Sequence, residues 1–135
     1  MRFEIRPAGG GLSVGCSWRQ LGLEQLRLAL PVVLWRTARA TAGGRPLPNA
    51  TVADPATVEF AGEFVVETPL FGTRATLTPP REGASRAIWP LEPVRTYGKL
   101  FEREGFESFF RMALVETVLE RPARRSRLAW RLDVE

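Results

Sequence analysis

The chain has 135 residues, enough for one domain with its own hydrophobic core and too few for two ordinary domains. Hydrophobic residues make up 44% of it and charged residues 25%, which are usual values for a globular protein and exclude disorder of the whole chain. Histidine is absent and Cys16 is the only cysteine, so disulfides within the chain, histidine-dependent catalysis and the common zinc sites are excluded. No metal or cofactor is predicted.

The formal net charge of +4 comes from eighteen arginines and one lysine against fifteen acidic residues. Arginine stays charged at any relevant pH and forms paired bonds with carboxylates and phosphates. The longest apolar run, residues 28–35, is far shorter than the ~20 residues that cross a bilayer, so no membrane contact is expected. The N-terminus lacks the apolar stretch of a signal peptide, and a cytoplasmic location is expected.

Alternating apolar and polar residues predict a hairpin at the start of the chain. The alternation covers residues 2–6 and 12–18, separated by a glycine-rich turn. Residues 17–30 are ambiguous, because their leucine spacing fits either a short helix or a strand. We favour the helix and expect Pro31 to end it.

The middle of the chain alternates between strands and irregular segments. Residues 32–41 are rich in β-branched and aromatic residues, which predicts a strand, and the proline- and glycine-rich residues 43–56 predict a loop. One strand is predicted over residues 57–67 and a shorter one over 73–78. Residues 81–97 contain two X-Pro pairs and are predicted to be irregular.

The best helical pattern covers residues 105–121 and ends before Pro122. Its apolar stripe consists of Phe106, Phe109, Phe110, Ala113, Thr117 and Val118. A closing strand is predicted over residues 128–134. The order of elements predicts a single α+β domain over residues 1–135, with one antiparallel or mixed sheet of five to six strands. The C-terminal helix, with or without a second short helix, packs on one face of that sheet.

Two clusters of charge are candidate sites. Glu59, Glu63 and Glu67 lie four residues apart on one predicted strand face, about 13 Å between neighbours, which is too far for a catalytic carboxylate pair. We interpret them as a solvated face. The densest basic segment is a candidate anion-binding site formed by Arg121, Arg124, Arg125 and Arg127.

The loops carry residue types that concentrate binding energy at protein interfaces. The candidate partner-binding residues are Trp89, Tyr97, Phe71, Arg86 and Arg95. Proline stiffens the same segments, which lowers the entropy lost when they are ordered against a partner.

No constellation of catalytic residues is recognised, and a non-catalytic role is favoured over an enzyme. The favoured function is a binding or assembly subunit that forms a homo-oligomer or joins a larger protein complex. The first alternative is a small-molecule-binding or isomerase-like barrel whose pocket is lined by some of the four tryptophans and eight phenylalanines. The second is a basic nucleic-acid-binding module, which is less favoured because no aromatic residues are interleaved with the basic segment.

Overall fold

A computed structural model describes residues 1–19, 22–92 and 110–135, and within those residues it contains eleven β-strands, one 3-10 turn and no α-helix. The strands are β1 (Arg2–Ala8), β2 (Gly11–Arg19), β3 (Gln25–Trp35), β4 (Arg39–Ala42), β5 (Arg45–Pro46), β6 (Ala56–Phe60), β7 (Phe64–Thr68), β8 (Thr73–Thr78), β9 (Ala84–Leu91), β10 (Phe110–Glu120) and β11 (Arg125–Val134). The 3-10 turn covers Pro69–Phe71.

The strands form two antiparallel sheets. The large sheet has seven strands in the order β1-β2-β11-β8-β7-β4-β5, and the small sheet has four in the order β3-β10-β9-β6. Their inner faces meet in one hydrophobic cluster, to which the large sheet contributes Phe64 and Trp130 and the small sheet Leu34 and Val115. Two antiparallel sheets packed face to face define a β-sandwich.

The predicted α+β class is therefore wrong, and the predicted C-terminal helix is the main cause. Residues 110–120 of that segment form β10, and its first residues, 105–109, lie outside the described residues. β10 lies between β3 and β9 and is buried on both faces, with Val115 and Thr117 on one and Met112 and Glu116 on the other. A strand buried on both sides loses its period-two alternation, so its apolar spacing resembled a helical stripe.

The short helix predicted within residues 17–30 is also wrong. Its second half belongs to β3, in which Leu26 and Leu28 are buried and Arg27 between them is exposed. Pro31 does not end the element, because β3 is an edge strand and a missing backbone donor is tolerated there.

Two predicted strands are each divided between the sheets. Residues 57–67 begin in β6 of the small sheet and continue in β7 of the large one, with Gly62 at the corner in a left-handed conformation (φ 91°). Residues 32–41 pass from β3 to β4 in the same way. These corners join the layers of the sandwich.

The segment 81–97, predicted to be irregular, contains β9.

The ends of the chain fold as predicted. The hairpin of β1 and β2 is present, and so are strands at 73–78 and 128–134. β11 pairs with β2 on one side and with β8 on the other, so both ends of the chain meet in the large sheet. That pairing positions the candidate sites described next.

Candidate functional site

Two of the candidate partner-binding residues lie on β9, not on a loop. Trp89 is half-buried against the core, and the Arg111 guanidinium lies 5.9 Å from the centre of its ring. Arg86 Nε donates a hydrogen bond of 2.6 Å to Glu116 Oε2, in an ion pair that is mostly shielded from solvent. Tyr97 and Arg95 lie outside the described residues.

Phe71 is the exposed one of the three members that the structure describes. It ends the 3-10 turn, and its ring contacts Trp35 edge-on with 5.4 Å between ring centres. Trp35 in turn packs on Phe110 at 4.7 Å. Phe71 is 54% exposed within this cluster, which leaves part of the aromatic surface open to solvent.

The basic segment is divided between a turn and a strand. Arg121 and Arg124 are exposed in the turn between β10 and β11, where the Arg121 backbone N–H donates to the Glu24 carbonyl at 2.7 Å. Arg125 and Arg127 lie in β11, on the face opposite to that of the buried Leu128. Their side chains therefore extend from the outer face of the large sheet, the face away from the core.

Strand pairing brings further arginines to that face. Register places Ser17 between Arg2 and Arg127, and it places Arg19 opposite Arg125. We call the outer face of β1, β2 and β11 the arginine groove; it comprises Arg2, Glu4, Arg6, Ala8, Gly11, Ser13, Gly15, Ser17, Arg19, Arg125, Arg127, Ala129, Arg131 and Asp133. Small residues of β2 form its floor. Its walls are β1 and β11, two strand spacings or about 10 Å apart.

Two carboxylates lie inside the arginine groove. Glu4 forms ion pairs with Arg2 at 3.0 Å and with Arg6 at 2.7 Å, and the Arg127 guanidinium lies 3.9 Å away. Asp133 accepts two bonds from Arg131, at 2.8 and 3.0 Å. The hydrogen bond from Arg131 holds the pKa of the Asp133 carboxyl below its usual value. Both carboxylates therefore fix arginine side chains in place.

One end of the arginine groove is open and has no acidic residue in its lining. An open pocket of about 660 Å³ lies between Arg2, Arg19, Arg125 and Arg127. Among the described residues, Arg19 and Arg125 have no ion-pair partner, and the hydroxyl of Ser17 has no hydrogen-bond partner. This end therefore offers unpaired donors in a concave surface.

Sequence reasoning identified Arg125 and Arg127 but missed their neighbours on β1 and β2. A signal for them is present, because Arg2, Glu4 and Arg6 occupy one face of a period-two pattern. The pairing of β2 with β11, more than 100 residues apart, is what assembles the groove, and no local pattern encodes it.

The opposite, inner face of β1 is apolar and largely uncovered. Phe3 and Ile5 pair in register with Cys16 and Val14, so all four share the inner face. Cys16 is buried, whereas Phe3 is 63% and Ile5 70% exposed, since β1 is the last strand of the seven-stranded sheet. We call β1 with these two side chains the β1 edge.

The other carboxylate and thiol groups of the described residues are dispersed over the fold. Glu59 lies on β6, Glu63 in the corner and Glu67 on β7, so the acidic face predicted on one strand is wrong. Cys16 is buried, as predicted, and burial raises the pKa of its thiol above the usual value. Within residues 1–19, 22–92 and 110–135, no group of three carboxylate or cysteine side chains could hold a metal ion.

An apolar cavity of about 370 Å³ opens between the sheets beside β3. Its lining includes Val14, Leu30, Phe64 and Leu132 and has no charged residue. The volume falls within the range of ligand pockets, but the converging polar groups that orient a small ligand are missing from the lining.

No helix in the described part of the chain is both long and apolar enough to cross a membrane. Comparisons with protein-family models, with curated proteins and with solved structures find no match to this chain.

Proposed function

We propose that this protein is a non-catalytic assembly subunit that forms a homodimer by pairing two β1 edges. The observation that carries the proposal is the exposure of Phe3 and Ile5 on the inner face of an edge strand. Edge strands are usually protected by inward-pointing charges, by proline or by a covering segment, because their free backbone groups pair with other chains. The proposal keeps the cytoplasmic location expected from the sequence.

The remaining edges are less suited to pairing. β5 has two residues and β6 has five, which limits the ladder that either could form. β3 has eleven residues, but Pro31 interrupts its backbone donors at the middle of the strand. β1 offers seven residues, and its single proline, Pro7, lies close to one end.

Charge selects the register of the proposed pair. Two antiparallel β1 strands related by a two-fold axis keep their inner faces on the same side of a joined sheet. Centring the axis on Ile5 pairs all seven residues and places Glu4 opposite Arg6 of the second copy. Centring it on Glu4 would oppose two glutamates, which is destabilising. The Ile5-centred register therefore pairs opposite charges and also gives the longest ladder.

Burial of the β1 edge supplies the driving force. Fully burying a phenylalanine or isoleucine side chain contributes about 1.5–3 kcal/mol, which is the upper limit for each of the four side chains that two copies bring together. Association costs about 4–15 kcal/mol in lost translational and rotational freedom. Backbone hydrogen bonds between the two β1 strands add to the free energy gained by burial. Because this gain is close to the cost of association, we expect a dimer that dissociates on dilution.

Disulfide trapping tests the register. In Ile5→Cys the two thiols face each other across the axis, at the ~4.5–5.5 Å Cβ separation of opposed residues, and mild oxidation is expected to yield a covalent dimer. Phe3→Cys is the matched control, an exposed inner-face position on the same strand, where the thiols are separated by four residues and do not bond. The wild-type chain provides the background, because Cys16 is buried.

Three outcomes of the trapping experiment contradict the proposal. They are absence of a covalent dimer for both variants, equal trapping of both, and trapping of Glu4→Cys in place of Ile5→Cys.

A further inference from the structure

We propose that the arginine groove binds the phosphate backbone of nucleic acids without reading their bases. The homodimer does not require this activity, and the groove lies on the opposite face of β1 from Phe3 and Ile5. Glu4 and Arg6 enter both inferences, because they set the register of the dimer, but the tests substitute different side chains: Ile5 for the dimer, and Arg19 with Arg125 for the groove.

The first argument is that the groove carries the whole net charge of the chain. It contains six arginines and two carboxylates. The full sequence has nineteen basic and fifteen acidic residues, so thirteen of each remain elsewhere and balance. A surface charge concentrated on one face attracts polyanions, and neutralising their phosphates releases counterions.

The second argument is geometric. Arg125 and Arg127 are two residues apart on β11, about 7 Å, and Arg131 follows about 13 Å further along. Arg2 and Arg6 line the facing wall with the same spacing as Arg127 and Arg131, because register pairs both rows through Ser17 and Ser13. The groove thus presents donors in two parallel rows to a linear chain of phosphates.

The floor of the groove is accessible towards its two ends, at Ser13 and Ser17, whereas Gly15 between them is buried beneath the Arg127 guanidinium. Ser13, Gly15 and Ser17 are small, and within the described residues neither serine hydroxyl has a hydrogen-bond partner. Serine hydroxyls and arginine guanidinium groups are frequent phosphate ligands in nucleic-acid complexes. The pocket between Arg19 and Arg125 adds two guanidinium groups without ion-pair partners in the described part of the chain.

The groove lacks the groups that would read bases. On the outer faces of β1, β2 and β11, all of which are described, there is no aromatic side chain. Trp18 lines the pocket at the open end, but it lies on the inner face, is 3% exposed and donates its indole N–H to the Ala123 carbonyl. Base stacking, which gives single-strand binders much of their affinity, is therefore absent. A lipid surface is not favoured either, because the exposed apolar side chains of β1 lie on the other side of the sheet.

The joined sheet of the proposed homodimer would extend this surface. A two-fold axis through the β1 pair keeps both outer faces on the same side, so two grooves would lie next to each other on one sheet. Binding to a monomer would still be expected, since each groove is complete within one chain.

Fluorescence anisotropy with labelled nucleic acids tests the proposal. The probes are 20-nucleotide oligo-dT and oligo-dA strands and a 20-base-pair duplex, titrated with wild-type protein at several salt concentrations. The groove variant is Arg19→Gln/Arg125→Gln. The matched control is Arg36→Gln/Arg81→Gln, which makes the same change in charge at two exposed positions outside the groove.

Wild-type protein is expected to bind oligo-dT and oligo-dA with affinities within about threefold of each other, because no base is read. Losing two phosphate contacts should lower affinity roughly 25-fold for single strands and 60-fold for the duplex at 0.1 M salt. The slope of log affinity against log salt should become shallower by about 1.4 and 1.8 respectively. The control variant should change neither the affinity nor the slope of log affinity against log salt by more than twofold.

The proposal is overturned if wild-type protein does not bind any of the three probes at 100 μM protein and 0.1 M salt. Equal weakening by the groove and control variants would also overturn it, because the effect would then be one of net charge. So would tight binding of heparin without binding of nucleic acid, which would assign the groove to a sulfated polymer.

Discussion

Thr117 lies at the centre of β10 and is completely buried, yet its hydroxyl has no hydrogen-bond partner among the described residues. A buried hydroxyl without a partner costs about 1–3 kcal/mol relative to a satisfied one. Thr117→Val replaces the hydroxyl by a methyl group of similar size. We expect the free energy of unfolding to rise by about 1 kcal/mol, measured by urea denaturation.

Thr117→Ser is the matched control, because it keeps the hydroxyl and removes the methyl group. It is expected to lower the free energy of unfolding by about 1 kcal/mol, the contribution of one buried methyl group. A valine variant less stable than wild type would mean that the hydroxyl has a partner.

Individual arginines show what the sequence can predict about a site. The density of basic residues at Arg125 and Arg127 is visible in the sequence, and both lie in the arginine groove. Arg86 was predicted to lie on an irregular segment, whereas strand register places it on β9 against Glu116, thirty residues away, in an ion pair. A side chain's chemistry is known from its type, whereas its neighbours depend on pairing between distant strands.

At the level of elements, the sandwich depends on corners where the chain changes sheets. Gly62 joins β6 to β7 with φ 91°, a conformation that residues with a Cβ rarely adopt. No atom lies within 4 Å of an added Cβ, so Gly62→Ala introduces backbone strain without a clash. We expect it to lower the free energy of unfolding by about 1–3 kcal/mol, measured by chemical denaturation.

Gly22→Ala is the control for this prediction. Gly22 also has free space around its Cβ position and has no left-handed φ, so alanine there should be neutral or slightly stabilising. Equal effects of the two substitutions would show that the corner does not require glycine.

The elements also show where sequence patterns fail. Half-buried strands such as β1, β2 and β11 alternate with period two and were predicted correctly. β10 was predicted as a helix because burial on both faces removed its alternation. Residues 57–67 kept their alternation on both sides of Gly62, so the pattern did not reveal that the chain changes sheets there. Periodicity reports which faces are buried, and it does not report which strands pair.

At the level of the whole molecule, β1 has an apolar inner face and a basic outer face. The inner face presents Phe3 and Ile5 at an unpaired edge, and the outer face presents Arg2 and Arg6 in the arginine groove. Self-association through one face and anion binding through the other are therefore compatible in a single assembly. The first depends on β1 being the last strand of its sheet, and the second on the pairing of β1 and β11 with β2.

Sedimentation equilibrium over a range of protein concentrations tests self-association through the β1 edge. The wild-type protein is expected to reach twice the chain mass of 15.1 kDa at high concentration and to approach that chain mass on dilution. Ile5→Lys, which places a charge on the inner face of the edge, should stay at 15.1 kDa throughout. Val52→Lys, which removes an exposed apolar side chain elsewhere, should behave like wild type. A wild-type mass of 15.1 kDa at every concentration would show that the β1 edges do not pair.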